Sequence, residues 1–356
     1  MTQFDRYIAA AALRYFLLVV FGLTALFGLL EFVEQLRSVG QGQYRLIDAL
    51  AYVALISPSR LLQVAPVSML LASLLGLGGF AATSELTALR ALGVSERRIA
   101  GALVKLAVPI LVVLFLMAEF VIPPAQQFAQ AERTGRLSSS APLHGGNGFW
   151  VQADRQFLNV EWFGYGNLPK NINIYTFTAD GALEDYIHAE QAVIRPDGIW
   201  LLSGVARKTV HAGQFTTQYL PTLAWHSFLP KRKAQLLVLP PESMPPLELY
   251  RYVNDLEQHH QPATRYQQEL WAKASVPFSL IAMILIAMPF VFAPARAQNS
   301  GQQITIGAVI GIVFTLIQQI GSHLDVLLNL DPMVIAMAPP FMLMAAAVYL
   351  FRRAHR

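Results

Sequence analysis

Residues Leu13–Val33 read LRYFLLVVFGLTALFGLLEFV, an apolar run whose only charges are Arg14 and Glu31. A bilayer core of about 30 Å takes about 20 residues of helix, so this run is long enough to cross one. Five more runs follow, near 50–82, 99–122, 271–293, 304–321 and 333–351. Three lie before and three after a polar stretch near 125–265. The chain therefore reads as an α-helical polytopic membrane protein with six transmembrane helices in a 3+3 layout and one inserted domain. Composition agrees, with 54% hydrophobic and 13% charged residues against about 25% charged in soluble proteins. Leu13–Val33 does not read as a cleavable signal: the amphipathic Phe4-Asp5-Arg6-Tyr7-Ile8 precedes it, and no small-x-small site follows before Glu34.

The net charge of +4 is explained by orientation. With the N-terminus inside, the short inner segments hold Arg6, Arg14, Arg90, Arg97, Arg98, Arg296, Arg352, Arg353 and Arg356, while the outer loops hold Arg37 and Arg45, with Arg60 at a span mouth. This is a positive-inside bias. It predicts cytoplasmic N- and C-termini and a periplasmic insert, and it makes nucleic acid an improbable partner. There are no cysteines, so disulfides and thiolate metal sites are excluded.

The insert reads as β. Phe149-Trp150-Val151, Phe157-Leu158-Asn159-Val160 and Ile172–Phe177 are rich in β-branched and aromatic residues. Ala179-Asp180-Gly181 and Pro196-Asp197-Gly198 are turn signals. The spacing predicts a sandwich or open barrel, with Ile172, Ile174 and Thr176 facing inward and Asn171, Asn173 and Tyr175 outward. Leu249, Tyr252, Val253 and Leu256 then mark a short amphipathic helix. Proline interrupts span 2 at Pro58 and Pro66 and splits span 6 at Pro339-Pro340.

Between spans 2 and 3, Ser84 suits an N-cap, Glu85 the first helical turn and Gly93 the residue after the last turn. Leu86, Leu89 and Ala91-Leu92 form one apolar face. A helix this short has little of its own to pack on, which points to a docked partner; a solvated or interfacial connector remains the plain alternative. The chain has no Gly-Lys dipeptide, so no GxxxxGK[ST] loop holds a nucleotide here. HExxH and GxSxG are absent too, and His188 beside Asp185 and Glu190 reads as a solvent-facing group.

Glu31, Glu34, Arg37, Arg60, Glu119, Arg133 and Arg265 cluster near the outer span ends. Charge at membrane depth is costly and faces a cavity or another charge. One reading is a rim holding an anionic headgroup, with arginine suited to phosphate. The other is a set of snorkelling side chains and structural ion pairs. Lys105 falls in the second class.

Several segments together resemble the lipopolysaccharide-export permease family (LptF/LptG). They are Asp5-Arg6-Tyr7-Ile8, Phe32-Val33-Glu34-Gln35-Leu36, Gly40-Gln41-Gly42 and Leu74-Leu75-Gly76-Leu77-Gly78, then Ser84-Glu85-Leu86 with Ala91-Leu92-Gly93, and Arg265-Tyr266 through Trp271-Ala272-Lys273. The Phe-Val-acidic-Gln-Leu run is closer to the G-type than to the F-type subunit. The resemblance implies residues 1–124 as helices 1–3 with a coupling helix at 84–92, 125–265 as a periplasmic β-jellyroll with its connecting helix, and 266–356 as helices 4–6. It implies a non-enzymatic subunit of the inner membrane of a Gram-negative bacterium, paired with an F-type permease. Its further partners would be a cytoplasmic ATPase dimer that alone binds ATP and Mg, and a single-span periplasmic bridge component. Lipopolysaccharide would be drawn from the membrane and passed through the β domain.

By that carry-over Glu85 lies in the helix that enters the ATPase, and Arg37 and Arg60 match positions that contact lipid phosphate. With Glu85, Ser84, Leu86, Leu89 and Arg90 of the short helix are expected to face the ATPase; Glu34, Arg133 and Arg265 of the outer rim are expected at the headgroup, and Leu26, Phe27, Leu30 and Val33 along the acyl cavity. Ile172 and Ile174 line the periplasmic path. Glu31 and Ser38 stand where the family often carries basic residues, so the cavity is less positive than the family pattern. The rival readings are a mechanotransmission-type permease or a membrane-anchored scaffold that carries no lipid, a membrane enzyme acting through the insert, and a secondary transporter.

Overall fold

A computed structural model of the chain describes residues 3–137, 149–153, 155–164, 168–178, 181–195, 198–211, 214–227, 241–258, 263–292, 300–328 and 331–354. Arg296 and Arg356 of the orientation argument lie outside these residues, as do Ala179-Asp180 and Pro196-Asp197 of the turn signals. Two compact units form. One comprises Met1–Gln35, Val53–Gln126 and Pro245–Arg356; the other comprises Leu36–Tyr52 and Gln127–Met244. The connecting helix belongs with the bundle, so the sheet-bearing unit ends some twenty residues before the boundary expected at 265 and gains the chain between spans 1 and 2.

Six helices among the described residues are long and apolar enough to cross a membrane. In chain order the helices are α1 (Gln3–Leu36), α2 (Leu46–Ala82), the short α3 (Glu85–Ala91), α4 (Glu96–Leu116) and α5 (Ile122–Leu137). After the sheet come α6 (Pro246–Gln258), α7 (Thr264–Phe292), α8 (Ser300–Leu328) and α9 (Pro332–Ala354). Prolines do not break them: α2 runs through Pro58 and Pro66, and α9 through Pro339 and Pro340. Neighbouring helices and local adjustment re-satisfy the freed carbonyls in a membrane bundle, which a reading of isolated helices misses. A π-helical turn, Met117–Val121, joins α4 to α5 just before Pro123-Pro124. Two consecutive missing N–H donors coincide there with the widened turn. Glu119 of that turn accepts a hydrogen bond from the Leu247 N–H at 3.1 Å, capping the start of α6.

The bundle core is centred on Met69, Leu70, Leu74 and Leu77 of α2, Ile99 and Leu103 of α4, and Leu280, Met283 and Ile284 of α7, all essentially inaccessible. Glycines let helices of the bundle approach closely. A Cβ on Gly307 would lie 2.6 Å from Leu71 and 2.8 Å from Leu74, and one on Gly311 would lie 2.5 Å from Val67. This Gly-x-x-x-Gly spacing on α8 admits α2 at short range. Leu18, Phe21, Val113 and Ile312 point outward from the bundle, as lipid-facing side chains do.

The insert folds as one antiparallel sheet of β1 (Phe149–Ala153), β2 (Gln156–Gly164), β3 (Leu168–Phe177), β4 (Leu183–Ile194), β5 (Ile199–His211) and β6 (Gln214–His226), paired in chain order. Among the described residues every neighbour is a hairpin partner. Period-2 alternation places Leu158, Val160, Ile172, Ile174, Ile187, Ala189 and Val205 on one face. The alternation shifts by one residue at Glu190-Gln191 of β4, beside Gly204 of β5 with φ +66°, so Ala192, Ile194, Trp200, Leu202 and Trp225 join the same cluster. The two tryptophan rings meet edge-on at 5.9 Å.

Candidate functional site

At the basic end of the bundle, α3 is a two-turn helix set between α2 and α4. Its C-terminal stop follows from Gly93, which adopts φ +83°, a region closed to most side chains. The Gly93 N–H donates to the Arg90 carbonyl at 3.0 Å and the Val94 N–H to that of Leu89 at 3.1 Å, the paired bonds of a Schellman stop. The start differs from expectation. Ser84 occupies the cap position in the left-handed region, φ 62°, and its side chain makes no cap hydrogen bond. The carboxylate of Glu85 is used instead: it accepts from the Thr83 hydroxyl at 2.8 Å and from the Tyr7 hydroxyl at 3.0 Å. Tyr7 in turn packs on Phe80, ring centroids 5.2 Å apart. The first turns of α1 thereby hold α3.

The apolar face of α3 is divided. Leu86 is buried in this chain's own bundle core, which corrects its assignment as a partner contact: a side chain already packed has no surface to offer. Leu89 is half-buried, and Leu92 stands 81% exposed. Arg90 pairs with Glu96 of α4 at 3.2 Å and lies over the Phe292 ring. Lys105 reaches Asp5 at 2.8 Å, with the carboxylate buried; it is structural, as its sequence context suggested.

At the opposite end, Arg60 of α2 donates to Glu31 of α1 in a short ion pair and to Gln63 at 3.1 Å. Gln35 donates to the other Glu31 oxygen at 3.2 Å. Of the two readings of the rim, the structural ion pair describes Arg60. Glu31 is the partner that neutralises it. Glu34 and Arg265 are exposed. On the second unit, Arg37 is exposed. Arg133 lies over the Tyr52 ring at 5.7 Å, and Arg136 contacts Asp48 at 3.7 Å. Burial pushes the nearby Tyr44 hydroxyl up from its ordinary value, against the opposing pull of Arg133. Leu26, Phe27, Leu30 and Val33 project from α1 as an exposed apolar wall.

In the sheet, Ile172 and Ile174 are fully buried, as their alternation required. Asn173 departs from it. Expected outward and solvated, it is only 7% exposed. Its carbonyl oxygen accepts from Tyr186 at 2.9 Å and meets His188 Nδ1 at 2.8 Å, and its amide donates to Asn159 at 3.3 Å. The second face is thus covered by its own amides and aromatics, because large side chains on adjacent strands shade the polar group between them. Asp185 instead holds Arg207, at 3.1 Å from Nε, so no His–carboxylate site forms. Burial raises the Tyr186 hydroxyl above its ordinary value and keeps it a donor. Among the described residues no cluster of His, Asp or Glu fit to hold a metal occurs.

Comparison with known proteins follows the same outline. A family model described as "Lipopolysaccharide export system permease LptF/LptG" matches residues 6–353. The chain is 29% identical over 351 residues to "Lipopolysaccharide export system permease protein LptG" of Escherichia coli (strain K12), covering 98% of each chain. It is 29% identical over 350 residues to the protein of the same name from Haemophilus influenzae, again over 98% of each.

Proposed function

Because this chain belongs to the lipopolysaccharide export permease LptF/LptG family, we propose that it is the G-type membrane subunit of an ATP-driven lipopolysaccharide exporter. It sits in the inner membrane with both termini in the cytoplasm, beside an F-type permease subunit. ATP and Mg are held by a separate ATPase dimer, and a single-span component receives lipid on the periplasmic side. The observation that carries this reading is α3. A two-turn helix between two spans, locked from within by Leu86 and by the Glu85–Tyr7 bond, presents Leu89, Arg90 and Leu92 at the basic end. Such a lever transmits force only if a partner grips it. Ser84 and Glu85 set its angle, and Leu92 replaces Leu86 as the apolar contact.

Acyl chains run along Leu26, Phe27, Leu30 and Val33 of the bundle unit, where Glu34 and Arg265 are exposed charges; on the other unit, Arg37 and Arg133 are by themselves the candidates for phosphate. Arg60 of the bundle becomes available only by exchanging Glu31 for the ligand. The apolar face of the sheet at Ile172 and Ile174 is the periplasmic path. One observation favours the second reading, a mechanotransmission-type permease or anchored scaffold that carries no lipid: that face is closed to solvent as the chain stands. Lipid passage requires it to open.

Affinity purification of the full-length chain from native membranes in mild detergent separates these readings from a lone membrane protein. A co-purifying ATPase and a second six-span subunit are expected; neither appearing would remove the exporter assignment. A photo-crosslinker at Ile174 then decides between the first two readings. ATP-dependent lipopolysaccharide adducts support transport through the sheet, and their absence supports the scaffold.

A further inference from the structure

A cavity of about 290 Å³ opens at the basic end of the bundle, lined by Glu96, Arg97 and Ala100 of α4, Leu285 and Met288 of α7, and Ala347, Val348, Phe351 and Arg352 of α9. Three spans meet there, and its floor is apolar. Its charges are uneven. Glu96 is engaged by Arg90 at 3.2 Å, whereas Arg97 and Arg352 are exposed, and among the described residues neither has an ion-pair partner. The site therefore offers two guanidinium groups above an apolar slot.

Its depth identifies the occupant. Glu96, Arg97 and Arg98 precede the apolar run of α4, and Arg352-Arg353 close that of α9, so the cavity mouth lies at the charged edge of these apolar runs. A ligand there must be apolar below and anionic above. Basic pockets between spans on the positive side of a bilayer bind anionic headgroups, and guanidinium takes phosphate oxygens in paired hydrogen bonds. Free phosphate would leave the apolar floor in contact with water, and an apolar helix would leave both arginines without a counter-charge.

We propose that this cavity is a binding site for an anionic diacyl phospholipid of the basic-side leaflet, with its phosphate between Arg97 and Arg352 and the start of one acyl chain over Leu285, Met288 and Val348. The lipid rests one ion pair away from α3, through Glu96 and Arg90. This site is separate from the exported-lipid path, and it stands whether or not the proposed transport role does.

The test uses the full-length chain in nanodiscs carrying, at equal mole fraction, either phosphatidylglycerol or phosphatidylethanolamine with a diazirine in the acyl chain. Adducts are mapped by mass spectrometry. Phosphatidylglycerol should label Leu285 and Val348 roughly ten- to thirtyfold more than phosphatidylethanolamine, about a few-fold per arginine. Val113 and Ile312, exposed elsewhere on the bundle, should be labelled equally by both. The double substitution Arg97→Gln, Arg352→Gln should abolish the preference at the cavity while leaving labelling at Val113 and Ile312 unchanged, which also shows that the variant is folded. Equal labelling of the cavity by both lipids, or a preference that survives the double substitution, overturns the proposal. So does a cavity in the native complex that yields only protein adducts from a photo-crosslinker at Val348.

Discussion

In the sheet, large side chains meet one another: Trp200 and Trp225 pack edge-on in one cluster with Leu158, Ile172 and Ile174. In the helical bundle, close contacts are made where a side chain is missing, as at Gly307 and Gly311 against Val67, Leu71 and Leu74. The difference follows from the solvent each core leaves. Burying area from water gives a driving force that grows with side-chain size. A helix face leaving lipid gains nothing from that term, so association depends on close approach and dispersion. The same apolar composition thus obeys two sets of rules within one chain.

The largest effect should come from the sheet. Trp200→Ala is expected to cost about 3–5 kcal/mol. In detergent, hydrogen exchange should speed up across β4–β6 while α7 keeps its protection. Equal loss in both units would mean that the two cores are not energetically distinct. Next, Leu86→Ala should destabilise the bundle by roughly 2–5 kcal/mol as a buried leucine, whereas Leu92→Ala, on the same short helix, should stay within about 0.5 kcal/mol. Thermal unfolding of the two variants checks the division of that helix into an inner and an outer side.

Gly307→Leu should cost roughly 1–3 kcal/mol by overpacking, and Leu71→Ala in the same chain should restore part of it. A loss with no rescue would place the strain elsewhere than the α2–α8 contact. The smallest effect should be the Glu31–Arg60 pair. Arg60 is about a third exposed, and a double-mutant cycle with Glu31→Gln and Arg60→Gln should return roughly 0.2–1 kcal/mol. A larger coupling would show that the bilayer end of the spans desolvates the pair more than its exposure indicates.

Much of the architecture was legible because it depends on run length and local period. The amphipathic helix marked by Leu249, Tyr252, Val253 and Leu256 is α6, with all four buried. The strands around Phe149, Phe157 and Ile172 are β1 to β3. Gly181 and Gly198 hold positive φ, at +78° and +82°. The site was legible in part. The position and stop of the short helix were readable from Glu85 and Gly93. Its division into a packed Leu86 and an exposed Leu92 was not, since a period tells which residues share a face but not what covers that face. The Gly307-x-x-x-Gly311 spacing was a readable signal of helix contact, although the residues opposite it were not.

Sequence alone determined six membrane-length helices, their 3+3 arrangement about a β insert, the absence of a nucleotide loop and the family. Each of these is a property of contiguous residues or of short motifs. Only the tertiary structure decided which charges neutralise one another and which polar groups are hidden. Arg60 finds Glu31 across 29 positions and Lys105 finds Asp5 across 100, while Asn173 lies buried among Asn159, Tyr186 and His188. Partnership of that kind is a matter of a few ångströms between residues far apart in the chain, and no local pattern encodes it.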